Sequence, residues 1–130
     1  VVDWVNTFRH ADVVVNLSST ATVDAAICGR PVVNLDYDPE PGAPRQALVH
    51  DINHAWPHFR PVAESGGVWL APTMDAVVAG VRAYLADPTL HADRRQWVVE
   101  HVAGTVDGRA GARLAAAIAD FAGRARRGTP

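Results

Sequence analysis

The apolar residues of this chain change period along its length, and the changes mark its elements. Val13, Val14 and Val15 form a continuous β-branched run, the pattern of a parallel strand buried on both faces. Ser18, Ser19 and Thr20 come directly after, where such a strand ends. Ala21 to Cys28 is small and apolar and predicts a tightly packed helix. Gly29 suits its C-cap, and Pro31-Val32-Val33 opens a second buried strand. The three hydroxyls therefore fall at the carboxyl edge of a βαβ unit and beside a helix start. Open α/β sheets bind ligands at that edge, and unpaired N–H groups there favour a phosphate.

The rest of the chain continues the alternation. Val1 to His10 reads as the end of a helix leading into the first strand, which suggests a piece of a longer chain. Residues 36–57 read as loop, because Asp38-Pro39-Glu40-Pro41-Gly42-Ala43-Pro44 is dense in turn formers. Gly66-Gly67 is a turn and Val68–Ala71 a short third strand. Thr73 is placed to N-cap a helix that carries Ala76, Val77, Gly80, Val81, Tyr84 and Leu85 at helical spacing. Asp87-Pro88 stops it, and Leu90 to Val102 predicts another helix with Trp97 and Val98 on its apolar side. Gly104 to Gly108 is a break, with Asp107 and Gly108 expected to cap the last helix. That helix, Ala110 to Ala122, is amphipathic and striped by Leu114, Ile118 and Phe121, and Arg124, Arg126 and Arg127 extend as a solvated tail. The expectation is a single α/β domain over residues 1–130, Rossmann-like, with three α/β/α layers around a small parallel sheet.

Composition narrows the chemistry. A net charge of −2 argues against a generally nucleic-acid-binding surface. The single cysteine, Cys28, excludes an internal disulfide framework, fits a reducing cytosol and reads as a small buried hydrophobe. No apolar run approaches a membrane span. All 12 basic residues other than histidine are arginine. The absence of lysine removes both the P-loop reading and Schiff-base chemistry.

Several blocks together resemble the C-terminal domain of GT-B glycosyltransferases, and more narrowly the CDP-glycerol glycerophosphotransferase (teichoic acid polymerase-like) family. They are Ala11–Asn16, Ser18-Ser19-Thr20 with Asp24-Ala25-Ala26, and Gly29–Asn34. Further along come His58-Phe59-Arg60-Pro61-Val62, Tyr84–Pro88, and Asp107-Gly108-Arg109-Ala110. The first block also occurs in other GT-B and nucleotide-sugar epimerase domains; the Asp-Gly-x-Ala element narrows the choice. The resemblance implies that this half binds the nucleotide of an activated donor. It also implies a separate N-terminal acceptor-binding half, so that residues 1–130 alone would not turn over substrate. For the full-length enzyme it implies a cytoplasmic location, with peripheral association at the inner face of the membrane.

Ser18, Ser19 and Thr20 are the candidates for diphosphate contact. One cap hydroxyl would suffice for a helix start, and here there are three. Asp24 occupies a position where the family often has glutamate on the ribose hydroxyls; first-turn dipole stabilisation is the other reading. Asp36 and Asp38 bracket Tyr37 and are candidate donor or acceptor contacts. Two carboxylates could bind a metal or act as acid and base, and a solvated loop edge is the alternative, since GT-B enzymes generally need no tightly held metal. His58 matches a family histidine before an aromatic, a candidate phosphate or glycerol contact or a loop-packing residue. His50, His54 and His58 are spaced by four, but Pro57 interrupts any helix that would align all three. No cysteine pair or His-Glu-x-x-His pattern is present either, so no metal and no cofactor is expected. No catalytic base is assigned. The reading is a donor-binding domain for glycerophosphate or glycosyl transfer to a cell-envelope acceptor. A nucleotide-sugar epimerase-like domain and a non-catalytic nucleotide-binding module are the alternatives.

Overall fold

The computed structural model describes residues 2–38 and 49–127. Three short strands, β1 (Val14–Asn16), β2 (Val32–Leu35) and β3 (Trp69–Ala71), form a parallel sheet in the order β1-β2-β3. Val14 pairs with Val32 and Asn16 with Asn34 on one side of β2. Val33 pairs with Trp69 and Leu35 with Ala71 on the other. Seven helices surround the sheet among the described residues: α1 (Val2–His10), α2 (Ala21–Ile27), α3 (Val49–His54), α4 (Arg60–Glu64), α5 (Met74–Ala86), α6 (Ala92–Val98) and α7 (Ala110–Arg127).

Alternation along β2 divides the core in two. Val32, with no exposed surface, packs on one face with Phe8, Ala25, Ala26, Phe59, Val62, Val68 and Val98. Its neighbour Val33, equally buried, packs on the other with Ala71, Val77 and Tyr84. Helices α1, α2, α4 and α6 supply the first cluster and α5 the second, so β2 is covered on both sides as its β-branched run predicts. Cys28 is half-buried against the first cluster.

β1 departs from that expectation. Val15 keeps half of its surface exposed. The α5 helix packs mainly over β2 and β3, and Val13 reaches its cluster while Val15 does not. Other boundaries obey local chemistry. Gly29 takes φ +73° just past α2. Its N–H bonds Ala26 O at 2.9 Å, and Arg30 N–H bonds Ala25 O at 2.9 Å, the double bond of a Schellman end. Thr73 caps α5 as its position predicts, its hydroxyl accepting from Ala76 N–H at 3.2 Å. Asp107 accepts from Arg109 N–H at 2.9 Å beside the start of α7. Arg113 and that N–H hold the Asp107 carboxyl below its usual range.

Three expectations are corrected. The segment read as loop over 36–57 contains α3, because the turn-forming run ends before Val49; residues 39–48 lie outside the described residues. The helix expected from Leu90 to Val102 starts at Ala92 and widens over Val99–Ala103 into a single π turn, closed by Gly104 N–H on Val99 O at 2.9 Å. The helix at the end runs on to Arg127 rather than stopping at Ala122, and its stripe of Leu114, Ile118 and Phe121 stays exposed.

Gly67 is required by a close approach. A Cβ there would sit 2.6 Å from the Arg94 carbonyl oxygen and 2.7 Å from its carbon. Both are backbone atoms and cannot swing aside. Gly67→Ala should therefore lower stability by roughly 1–3 kcal/mol, the usual cost of overpacking. Urea unfolding checks this, and an unchanged midpoint would show that α6 yields freely.

Candidate functional site at the carboxyl edge of the sheet

Parallel pairing brings the ends of all three strands to one edge. The residues after β1 are Ser18-Ser19-Thr20, and those after β2 are Asp36-Tyr37-Asp38. The three hydroxyls do not act together there. Ser18 adopts φ +59° and turns inward. It is buried, and its hydroxyl donates to Leu35 O at 3.2 Å. Ser18 thus ties the ends of β1 and β2 and is removed from the set that can meet a ligand. Ser19 stays exposed; its hydroxyl bonds Asn16 Oδ1 at 3.2 Å and accepts from Ala21 N–H at 3.3 Å. Thr20 stands exposed at the start of α2, with no side-chain capping bond among the described residues.

Beneath this turn runs a buried polar chain that sequence reasoning missed. Asn16 Nδ2 donates to Thr22 Oγ1 at 2.8 Å, and Thr22 donates to Asn34 Oδ1 at 3.0 Å. Thr22 and Asn34 are fully buried, and Asn34 Nδ2 has no partner among the described residues. Two asparagines at paired positions of β1 and β2 were the available signal. Asp24 is also engaged elsewhere: its Oδ2 accepts from the Trp4 indole N–H at 3.1 Å, in the seam between α1 and α2.

Asp36 and Asp38 separate in role. Asp38 Oδ1 accepts from Val49 N–H at 3.0 Å, at the first residue of α3, where a carboxylate meets the positive end of a helix. Asp36 is the centre of a cluster. Its own N–H bonds Ala71 O at 2.8 Å, which fixes it to the sheet. Its Oδ1 receives Asn53 Nδ2 at 2.9 Å and lies 3.2 Å from His50 Nδ1 and 3.0 Å from His54 Nε2; Oδ2 also lies 3.0 Å from His54 Nε2. The two imidazoles, one turn apart on α3, have centroids 4.2 Å apart at a 35° tilt. Asn53 is fully buried and donates as well to Leu35 O at 3.0 Å, and its Oδ1 has no partner among the described residues. The histidine spacing was visible in the sequence; its meeting with Asp36 and the role of Asn53 were not. His58 lies past the end of α3, with its ring 5.4 Å from that of Trp56, and does not join the cluster.

A separate groove lies elsewhere. About 700 Å³ in volume, it is lined by Val5, Arg9, His10, Cys28 and Arg30. These residues end α1 and come after α2, which places the groove toward the opposite, amino edge of the sheet. Arg30 is held there by Arg9 O at 2.7 Å. No helix among the described residues is long and apolar enough to cross a membrane. Comparison with known proteins gave no matching family model, no matching characterised protein and no matching solved structure.

The polar chain can be tested directly. Thr22→Val keeps the shape of the side chain but leaves Asn34 Oδ1 and Asn16 Nδ2 without their shared partner. It should cost about 1–3 kcal/mol, the penalty for stranding buried polar groups. Chemical denaturation reads this, and a neutral result would mean that water replaces the hydroxyl.

Proposed function

We propose that this chain binds the nucleotide part of an activated donor, CDP-glycerol or a nucleotide sugar, as the donor half of a GT-B-type transferase. One observation carries the reading. Ser19 and Thr20 remain exposed together at the carboxyl end of a parallel strand and the start of a helix. Hydroxyl donors at that place suit the oxygens of a diphosphate, and the sheet edge is where open α/β folds take ligands. The resemblance of the Ala11–Asn34 segment and of Asp107–Ala110 to the glycerophosphotransferase family adds to it.

In glycerophosphate transfer, an acceptor hydroxyl attacks the β-phosphorus of the donor, the bond to the bridging oxygen breaks, and CMP leaves. Negative charge grows on the leaving phosphate as that bond opens. Thr20 would donate to those oxygens and lower the barrier electrostatically, joined by Ser19 once its hydroxyl exchanges its bond to Asn16 Oδ1. Asp24, bonded to Trp4 one turn into α2, would have to exchange that bond for a ribose hydroxyl. The acceptor belongs to a separate acceptor-binding half in this reading, and the general base that takes the hydroxyl proton need not lie in this chain.

The test is calorimetric titration of folded variants with CDP and UDP. Ser19→Ala and Thr20→Ala should each weaken binding by roughly ten- to a hundredfold, the loss of a hydrogen bond to a charged group. Ser18→Ala should lower stability and leave affinity unchanged, because its hydroxyl is committed to Leu35 O. Equal affinity in the wild-type, Ser19→Ala and Thr20→Ala proteins would remove the nucleotide reading.

A further inference from the structure

We infer that Asp36, His50 and His54 form a binding site for one first-row divalent transition ion, with zinc the best match. The decisive feature is the convergence of two imidazoles on one largely buried carboxylate. A carboxylate oxygen has two lone pairs in its plane. Asp36 Oδ1 has three nitrogens within 3.2 Å, from Asn53, His50 and His54. Asn53 takes one direction as a normal amide donor. His50 Nδ1 lies 3.2 Å from the same oxygen, and His54 Nε2 lies 3.0 Å from both carboxylate oxygens, with the two rings 4.2 Å apart. A single cation between them accepts lone pairs from both rings and from the carboxylate at once.

The distances fit. One ligand atom from each of the three residues lies within 4.8 Å of the others. An ion about 2.1 Å from each ligand sets neighbouring ligand atoms ~3.0–3.4 Å apart, from the octahedral to the tetrahedral edge. The observed histidine–carboxylate separations are 3.0 and 3.2 Å. These two pairs already stand at coordination spacing, and the two histidine nitrogens lie within 4.8 Å of each other.

The donor set decides its kind. Two imidazoles and one carboxylate suit zinc, cobalt or nickel, whereas magnesium and calcium prefer oxygen ligands throughout. The supports are rigid. Asp36 is held by the end of β3 through Ala71 O, and its carboxylate is oriented by buried Asn53. The two histidines are fixed relative to each other by α3, whose first N–H is capped by Asp38. Carboxylate orientation by a neighbouring amide is the usual outer support of a metal ligand. The His50 and His54 side chains are 59% and 41% exposed while that of Asp36 is 12% exposed. The ion would therefore rest on a largely buried carboxylate with its outer coordination positions open to water or to an anionic ligand, the arrangement of a reactive site and not of a closed structural one. The site rests on the geometry of Asp36 and α3 and does not depend on nucleotide binding.

The test uses the purified chain, stripped with a chelator, titrated calorimetrically with Zn²⁺, with Co²⁺ absorption as a second readout. One equivalent should bind, and Mg²⁺ should not compete. His50→Ala and His54→Ala, both exposed positions on α3, should each weaken Zn²⁺ by roughly tenfold or more. His58→Ala and Cys28→Ser should leave it unchanged. A readout on the wild-type chain guards against variants that fail to fold. Substoichiometric Co²⁺ should perturb the NMR ring signals of His50 and His54 before those of His10, His58, His91 and His101. Failure to bind one equivalent, unchanged affinity in both α3 variants, or first perturbation at another histidine would overturn the proposal.

Discussion

The structure depends on β2 being buried from both sides. Val32 and Val33 face opposite directions, neither has exposed surface, and each anchors a separate apolar cluster. Full burial of one such side chain stabilises by about 1.5–3 kcal/mol. The larger consequence is positional. A strand with neighbours on both edges and helices on both faces cannot slip, since a one-residue shift would exchange its two faces. The residues after Leu35 are therefore delivered to a fixed place.

At the end of β2, backbone pairing hands over to side-chain bonding. Leu35 O accepts from the buried Ser18 hydroxyl at 3.2 Å and from buried Asn53 Nδ2 at 3.0 Å. Asp36 N–H still pairs with Ala71 O across the sheet. Four segments meet at one peptide unit: the turn after β1, the ends of β2 and β3, and α3. Ser18 accepts an uncommon left-handed backbone to reach this point. That cost is consistent with its structural use and explains why the adjacent Ser19 and Thr20 are the ones left facing out.

The sequence was legible where local chemistry and burial agree. The β-branched run at Val32-Val33, Gly29 after α2, and Thr73 before α5 each predicted what is found, because each signal acts within a few residues. It was less legible where neighbours decide. Val15 has the pattern of a two-faced strand but lies on the edge strand and stays half exposed, while α5 packs mainly over β2 and β3. The three hydroxyls look equivalent in sequence, yet one is buried by a contact 17 residues away. Pro57 was a sound reason to reject one long histidine-bearing helix, and His58 indeed stands apart. The third group beside the remaining histidine pair was hidden for a physical reason. Asp36 lies 14 residues before His50, and only the fixed end of β2 brings it beneath α3.

The same peptide unit that closes the fold thus sets the geometry of its chemistry. Asn53 divides its two N–H donors between Leu35 O and Asp36 Oδ1. One bond holds α3 to the strand and the other aims the carboxylate at the two histidines. A change that moved α3 away from β2 would lose both together, because the same amide serves them. His50 and His54, by contrast, contribute surface side chains to a helix already held by Val49 and Asn53, both buried. Stability and the proposed ion binding are therefore separable at the histidines and inseparable at the asparagine. That division comes from which residues face the strand and which face water.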